Sequence, residues 1–547
     1  MTRPDLRGVA ALAGLGPRAV GAMARSGILR PVRPDRLAGM LAAPLRLGAG
    51  AATMCAATAA RWPDQPALID ERGTLTWAEL DRRGGALAAA LKQELGVGPG
   101  RGLAVMCRNH RAFVEPLLAG SRLGADLLLL NTDFPGPQLA QVLEREQPAA
   151  AVFDEEFTGA FDAAGFEGGR VVAWRDGDGP GPTTNSLIRR QAEPRGGWPA
   201  TRTQGRLVIL TSGTTGTPKG APRAPSVGAA AGPFTTMLSQ IRFRTREPML
   251  VAPPFFHGFG LAYLGLAMAL GSTVVMRRRF DAEATLAAID EHGVTTLIAV
   301  PVMLQRVLEL PQQVRARYRT DSLRILISAA APLSADLAAA LTDAFGEIVH
   351  DLYGTTEAGF AAIATPRDLR EAPGSVGRPP HGTTVRILGP DDAEVATGET
   401  GRIFVGSPML FEGYSGGGTK ETVGGLMSTG DLGHFDRQGR LHIDGREDDM
   451  IVSGGENVFP GEVEDVLARH PHVADVAVLG VPDEEFGQRL RAFVVPAPGS
   501  EPTEGDLKAH VKSSLARYKV PRDVVFIEEI PRNPTGKLLR RELAGRS

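Results

Sequence analysis

The sequence predicts an α/β protein. A large N-terminal domain of parallel sheets covered by helices, with a small β-rich subdomain, precedes a small mobile α+β C-terminal domain. Three observations carry this. Short apolar runs such as Leu103-Ala104-Val105-Met106 and Thr296-Leu297-Ile298-Ala299 alternate with helical stretches, as buried parallel strands do. After about Arg378 the texture changes to short strands and turns, and a compact α+β pattern follows Ile451. At 547 residues the chain is too long for one core.

Residues 1–48 read as a basic extension. Arg3, Arg7, Arg18, Arg25, Arg30, Arg33, Arg36 and Arg46 stand against Asp5 and Asp35, with apolar residues between. The favoured reading is helices packed on the body. The other is an amphipathic segment making peripheral contact with an anionic membrane. Arginines interrupt any apolar centre, which argues against a signal peptide.

The large domain is assigned to 49–447. A hairpin is expected at 66–69 and 73–76, then a helix over 77–92. Strands are expected at 103–106, 127–130, 250–252, 272–276, 296–299 and 323–327, where the chain is short and apolar. Glycine and proline at 176–185 read as an exposed loop. The uncharged stretch 248–276 is long enough to span a bilayer, but prolines, glycines and His257 interrupt it, so it reads as buried core. Strands at 401–405 and 440–443 belong to the β-rich part. The small domain is assigned to 448–547. It opens a helix at Pro460, a residue suited to the first helical position. Strands at 476–479 and 490–495 and a helix over 505–515 follow.

Composition is that of a globular protein, 43% hydrophobic and 22% charged, and the net charge of −2 gives no reason to expect nucleic acid binding. Cys55 and Cys107 are the only cysteines. They supply no disulfide framework and no metal-ligand spacing, and read as core thiols in a reducing cytoplasm.

The most informative stretch is Thr211-Ser212-Gly213-Thr214-Thr215-Gly216-Thr217-Pro218-Lys219-Gly220, entered from the apolar run Leu207-Val208-Ile209-Leu210. Its glycines let backbone N–H groups turn inward on an anion; hydroxyls and Lys219 add donors and charge. It is built to hold a polyphosphate. It is not a Walker A loop, because Pro218 precedes the lysine and Gly220 follows it.

Further motifs follow: Tyr353-Gly354-Thr355-Thr356-Glu357, Ser428-Thr429-Gly430-Asp431, Gly445-Arg446-Glu447-Asp448-Asp449, and Pro531-Arg532-Asn533-Pro534-Thr535-Gly536-Lys537. In order and spacing they resemble the adenylate-forming superfamily of acyl-CoA synthetases, luciferases and peptide-synthetase adenylation domains. The resemblance runs from about Trp62 to the C-terminus. The N-terminal region and the stretch 127–134 look most like bacterial fatty-acid acyl-CoA synthetases.

The resemblance implies a role for each matched position. The 211–220 loop would hold the β- and γ-phosphates of ATP. Glu357 would bind Mg²⁺, for which a hard oxygen ligand is suited, and Thr356 would donate to the α-phosphate. Tyr353 offers a face to adenine, Asp351 an acceptor for its amino group, and Asp431 with Arg446 a site for the ribose. Lys537 would balance charge in the transition state, delivered by a small domain turning about a hinge at Asp448. The other face of that domain, at Ser453-Gly454-Gly455, would admit the pantetheine arm of CoA. His257 would lie beside the acyl carboxylate, with Gly258, Phe259 and Val302 shaping an acyl pocket; Phe360-Ala361-Ala362 are further candidates. Where the family often has glycines, this chain has Ala329-Ala330-Ala331, whose backbone should border adenine and the acyl entrance.

The leading expectation is an AMP-forming acid–thiol ligase: an acyl-CoA synthetase, dependent on ATP, Mg²⁺ and CoA, for a medium or long-chain fatty acid or a bulky natural-product acid. The alternatives are an acyl-AMP ligase loading a carrier protein and a non-enzymatic nucleotide-binding scaffold. A cytoplasmic protein is expected, membrane-associated in the second reading of the N-terminal segment. A homodimer is allowed.

Overall fold

The computed structural model describes residues 17–192, 194, 197–211, 219–223, 227–411, 413–415, 417–453, 456–483, 487–533 and 536–546. The apolar runs form two sheets that are parallel at their centres. The first has eight strands, in the spatial order Gly359–Ala364, Val349–Thr355, Ile325–Ala329, Thr296–Ala299, Met249–Val251, Val274–Val275, Pro66–Asp70, Gly73–Thr76. Only its two outermost pairings are antiparallel. The second has six, in the order Gly169–Val172, Ala150–Phe153, Leu103–Met106, Leu127–Leu129, Leu207–Thr211, Lys219–Arg223, and only its last pairing is antiparallel. Strands such as Leu103–Met106 and Thr296–Ala299 are buried at every position. That is why they read as continuous apolar runs: helices cover both faces, so no position alternates toward water.

The change of texture after Arg378 has a physical counterpart. An antiparallel sheet runs Ser375–Gly377, Leu441–Arg446, Leu426–Phe435, Gly401–Gly406, Thr384–Leu388. The C-terminal unit has its own sheet, in the order Glu456–Val458, Ile451–Ser453, Gly487–Pro496, Val473–Asp483, with Asp523–Phe526 alongside Gly487–Pro496. Helices Pro460–Ala468 and Glu504–Ser514 close a separate apolar core over it, around Val463, Leu467, Leu507 and Val511.

Local signals set the element ends. Helix Trp77–Leu95 starts on a reciprocal Thr76/Glu79 capping box and stops at Gly96, left-handed at φ 63°. The expected loop at 176–185 is shorter than its composition implied, since Thr183 caps a helix over Thr184–Arg190. The stretch 248–276 holds strand Met249–Val251 and the largely buried helix Gly258–Leu270. Among the described residues no helix is long and apolar enough to cross a membrane. Helices Pro17–Ser26 and Pro34–Leu47 pack on the body, the first inserting Ala22 into the main core. Cys55 and Cys107 are buried free thiols. The fold does bring Cys107 beside His110 and Asp154, a grouping the spacing of the cysteines did not reveal. Its polar atoms are engaged in structure. His110 Nδ1 accepts the Ala112 N–H, which leaves Nε2 to donate to Asp154 at 2.8 Å, and Asp154 also accepts the Arg108 N–H.

One buried ion pair ties the edge of the first sheet to the second layer. Asp70 ends its strand and accepts from Arg111 Nε and Nη2 and from the backbone N–H groups of Arg72 and Arg111. Burial alone would raise the Asp70 pKa; the Arg111 and Arg72 bonds outweigh it and lower the value. A depressed native pKa gives stability that is present above the ordinary carboxylate pKa and is lost as pH falls through the depressed value. Asp70→Ala should therefore cost about 3–5 kcal/mol in chemical denaturation at neutral pH, because it strands a buried guanidinium. The difference from the parent should shrink in acid. A difference independent of pH would show that the pair does not hold this edge.

Candidate active site

The described motif residues lie on the two parallel sheets, on the antiparallel sheet and in the C-terminal unit. Strand Leu207–Thr211 pairs with Lys219–Arg223, Thr211 opposite Lys219, so both ends of the glycine-rich loop lie side by side. Ser212, Gly213, Thr214, Thr215 and Gly216 fall outside the described residues, as do the side chains of Thr211 and Lys219. On the same strand, Ile209 faces Gly258: a Cβ on that glycine would lie 4.0 Å from Ile209 Cδ1. The loop's anchor and the His257-Gly258 segment therefore adjoin.

His257 sits at the N-terminal boundary of helix Gly258–Leu270. Its Nε2 is buried without a hydrogen-bond partner among the described residues. Burial, and then the charge of Lys537, lower its pKa to about 4, so the ring is neutral at pH 7. The turn leading into it is held by Asn109, which accepts the Phe255 N–H at 2.9 Å and donates to Pro253 O at 2.8 Å. Nothing in the sequence marked Asn109, because it reaches this turn from the second sheet. Phe259 packs against both large apolar cores, and Val302 against the second. Ala361 and Ala362 are fully buried in the core beneath the antiparallel sheet, which sets them apart from Phe360.

Strand Val349–Thr355 carries the next group. Asp351 lies opposite Ser328 and is 4% exposed, with Oδ1 unpartnered among the described residues. Burial, partly offset by Ser328 and the Leu352 N–H, raises its pKa to about 7. Two residues on, Tyr353 Oη donates to Asp431 Oδ2 at 2.5 Å. Gly354 follows at a register shift, where a Cβ would lie 2.2 Å from Gly359 O; only glycine fits. Thr355 Oγ1 accepts the Ala358 N–H, and Thr356 lies in the turn beyond. Glu357 is buried, and its Oε1 accepts from Tyr414 Oη at 2.9 Å. Ser415 donates its N–H to Gly220 O, so one short segment bridges Glu357 and the exit of the loop. Tyr414 went unnoticed in the sequence, although tyrosine occurs only 5 times and could have drawn attention to it.

Asp431 pairs directly across the antiparallel sheet with Arg446, at 3.5 Å between Oδ1 and Nη1. Burial raises the Asp431 pKa despite Tyr353, Arg446, Lys420 and Lys537 around it. Arg446 also donates to Asp448 at 2.8 Å. Burial opposes its charge, but Asp448 and Asp431 prevail and raise its pKa. Asp448 is exposed, in the short turn between strands Leu441–Arg446 and Ile451–Ser453. Ser453 ends the latter strand; Gly454 and Gly455 lie outside the described residues. Ala330 has φ +73°, a left-handed conformation unusual for a residue with a Cβ, at the end of strand Ile325–Ala329.

The C-terminal unit reaches in through Gly536 and Lys537. Gly536 has φ +77°, and a Cβ there would lie 2.9 Å from Val302 Cγ1. Lys537 is open to solvent, yet its amine is crowded. Burial, then Arg446, lower its pKa against Asp449, Asp431 and Asp448. Lys537, the neutral His257, Arg446 and Asp431 thus meet at one mouth, and the strand that leads into the phosphate loop adjoins it through Ile209. Such a site can neutralise a polyphosphate and hold a carboxylate beside it.

The AMP-binding enzyme family matches residues 55–415, and its C-terminal domain matches 462–537. The chain belongs to this adenylate-forming family. A feruloyl-CoA synthase of an Amycolatopsis species is 35% identical over 501 residues, covering 89% of this chain and 98% of the relative. A fatty acid–[acyl-carrier-protein] ligase, ScoC of Streptomyces coeruleorubidus, is 32% identical over 505 residues, covering 88% and 94%. The solved structure of the amide bond synthetase McbA from Marinactinospora thermotolerans superposes with a TM-score of 0.78 at 29% identity, covering 90% and 99%. Family members use ATP, and Mg²⁺ is usual among them.

The state of Asp351 gives a test of this geometry. Its raised pKa means that the unfolded chain ionises first as pH rises, so stability falls from the ordinary carboxylate pKa up to about 7 and then levels. Asp351→Asn should gain on the parent across that window, by on the order of 2–4 kcal/mol at pH 8 relative to pH 4. Paired thermal melts against pH measure it. A constant difference would show an ordinary, ionised Asp351.

Proposed function

We propose that the chain is an ATP-dependent acyl-CoA synthetase for an apolar carboxylic acid. The acid's oxygen attacks the α-phosphorus of ATP, pyrophosphate leaves, and the CoA sulfur then attacks the acyl carbon and expels AMP. The carrying observation is the convergence of Lys537, His257 and Asp431, with Arg446, at one mouth, although they come from separate elements.

In this reading the 211–220 loop and Lys219 hold the leaving phosphates, and Thr356 donates to the α-phosphate. Glu357, fixed by Tyr414, is the oxygen ligand for Mg²⁺, which supplies charge neutralisation when bound. Tyr353, Gly354 and Thr355 form the adenine wall, bordered by Ala330. The unpartnered Oδ1 of Asp351 awaits the amino group, and the clash a Cβ would make at Gly354 fits a wall that must stay thin. Asp431 and Arg446 take the ribose. Neutral His257 can approach a carboxylate without pairing with it as an ion, and Gly258, Phe259 and Val302 line the acyl side. Asp448, in the turn between the antiparallel sheet and the C-terminal unit, is the pivot; turning there would exchange Lys537 for the Ser453-Gly454-Gly455 face and admit CoA.

The acid is aromatic or aliphatic. Apolar residues around His257 support either, and the relatives named above divide between a feruloyl and a fatty acyl group. The ScoC likeness favours a second acceptor, an acyl carrier protein. The partners in this reading are the acid, CoA and, through the basic N-terminal segment, a membrane surface.

Lys537→Ala should lower adenylation, read as pyrophosphate release, on the order of 10²-fold or more. Thioester formation from supplied acyl-adenylate and CoA should be spared. Equal loss in both half-reactions would contradict the role, and thioester formed only with a carrier protein would favour the second acceptor.

A further inference from the structure

Helix Pro34–Leu47 is amphipathic the wrong way round for a surface helix. Its inner face turns Ala43 and Leu47 into the protein. Its outer face carries Leu37, Leu41 and Leu45, spaced one turn apart and 43%, 60% and 66% exposed. Pro34, Ala38 and Pro44 are exposed beside them. Leu29, 51% exposed, and Val20, 47%, lie just upstream. An ordinary helix of a globular protein puts charge on that side.

The first turn of the helix lies at a cavity of about 240 Å³ lined by Arg30, Arg33, Arg36, Arg61 and Arg246 with Trp62. Arg33 pairs with Asp35 at 3.2 Å. No carboxylate pairs with the other four arginines among the described residues. Arg36 donates to Arg61 O and Arg61 to Arg30 O, while the Arg61 guanidinium stacks on Trp62 at 4.3 Å. Glu247, next in the chain to Arg246, is engaged by Arg324. Arg61 is 8% exposed and its Nε has no partner among the described residues. Burial, then Arg246, lower the Arg61 pKa, the mark of cations crowded together without an anion. Clustered guanidinium groups of this kind suit a phosphate oxyanion.

Apolar side chains facing water beside a cationic cavity match an anionic bilayer surface in both chemistries at once. We propose that helix Pro34–Leu47 is a membrane-docking face: Leu37, Leu41 and Leu45 enter the acyl boundary while the Arg30–Arg61–Arg246 cavity takes the phosphate of an anionic phospholipid. This rests on the peripheral membrane contact of the preceding section. It would set the enzyme on the surface where an apolar acid is concentrated.

The test is co-sedimentation of the full chain with vesicles of phosphatidylcholine alone or mixed with phosphatidylglycerol. The parent should bind the mixed vesicles and be released by salt. The variant Leu37→Ser/Leu41→Ser/Leu45→Ser should lose on the order of tenfold per leucine. Arg30→Ser should lose about fivefold, on anionic vesicles only. Activity on a water-soluble acid and the melting temperature should be unchanged, which separates lost docking from lost folding. Binding to vesicles that these variants leave intact would overturn the assigned face while sparing the membrane contact. No vesicle binding by the parent would overturn both. Binding of inorganic phosphate in solution without vesicle binding would make the cavity a soluble-anion site instead. A parent dimer that the leucine variant dissociates, without vesicle binding, would assign the face to a second copy of the chain.

Discussion

Gly536 lies against Val302 because it has no side chain, and this contact decides what the rest of the site can do. A Cβ at position 536 would press to 2.9 Å on Val302 Cγ1, and the residue is also held at φ +77°. Glycine meets both demands without strain. The next residue is Lys537. A bare backbone approach therefore brings the Lys537 amine to the place where His257, Asp431 and Arg446 lie. Had the small domain met the large one through bulky side chains, the amine would stand well short of its neighbours.

The charges at this mouth balance each other rather than the solvent. Burial pushes Asp431 and Asp351 toward neutrality, His257 away from protonation, and Lys537 toward losing its proton. Arg446 lies between Asp431 and Asp448 and keeps its charge. In the proposed reaction, such an arrangement would be the electrostatic preparation that adenylate chemistry needs. Asp448 belongs to the same chain of contacts. Its bond to Arg446 links the proposed pivot to the proposed ribose pair, so a turn there would disturb both.

Much of this was legible in the sequence. Buried parallel strands announced themselves as unbroken apolar runs, and the motifs named most residues that the fold then brings together. What stayed hidden was contact between distant segments. Asn109 holds the turn before His257 from another sheet, and Tyr414 holds Glu357 across 57 positions. Neither belongs to a local pattern, because each depends on how the sheets dock. Cys107, His110 and Asp154 likewise meet only in the fold. The N-terminal segment was ambiguous for a different reason. Its arginines and leucines are interleaved in the chain, and only the helix shows which of them face water.

The central claim is that the closed arrangement, with Gly536 on Val302, is the adenylating one and must open for CoA. A cross-link tests it directly. The Cβ built at position 536 lies 3.7 Å from Val302 Cβ, within the span of a disulfide. The two native cysteines are buried and would not interfere. The oxidised Val302→Cys/Gly536→Cys protein should still convert ATP and acid to bound acyl-adenylate, releasing pyrophosphate in a single burst. It should make no thioester with CoA until the bond is reduced. Steady thioester turnover by the oxidised protein, or adenylation that appears only after reduction, would contradict the account.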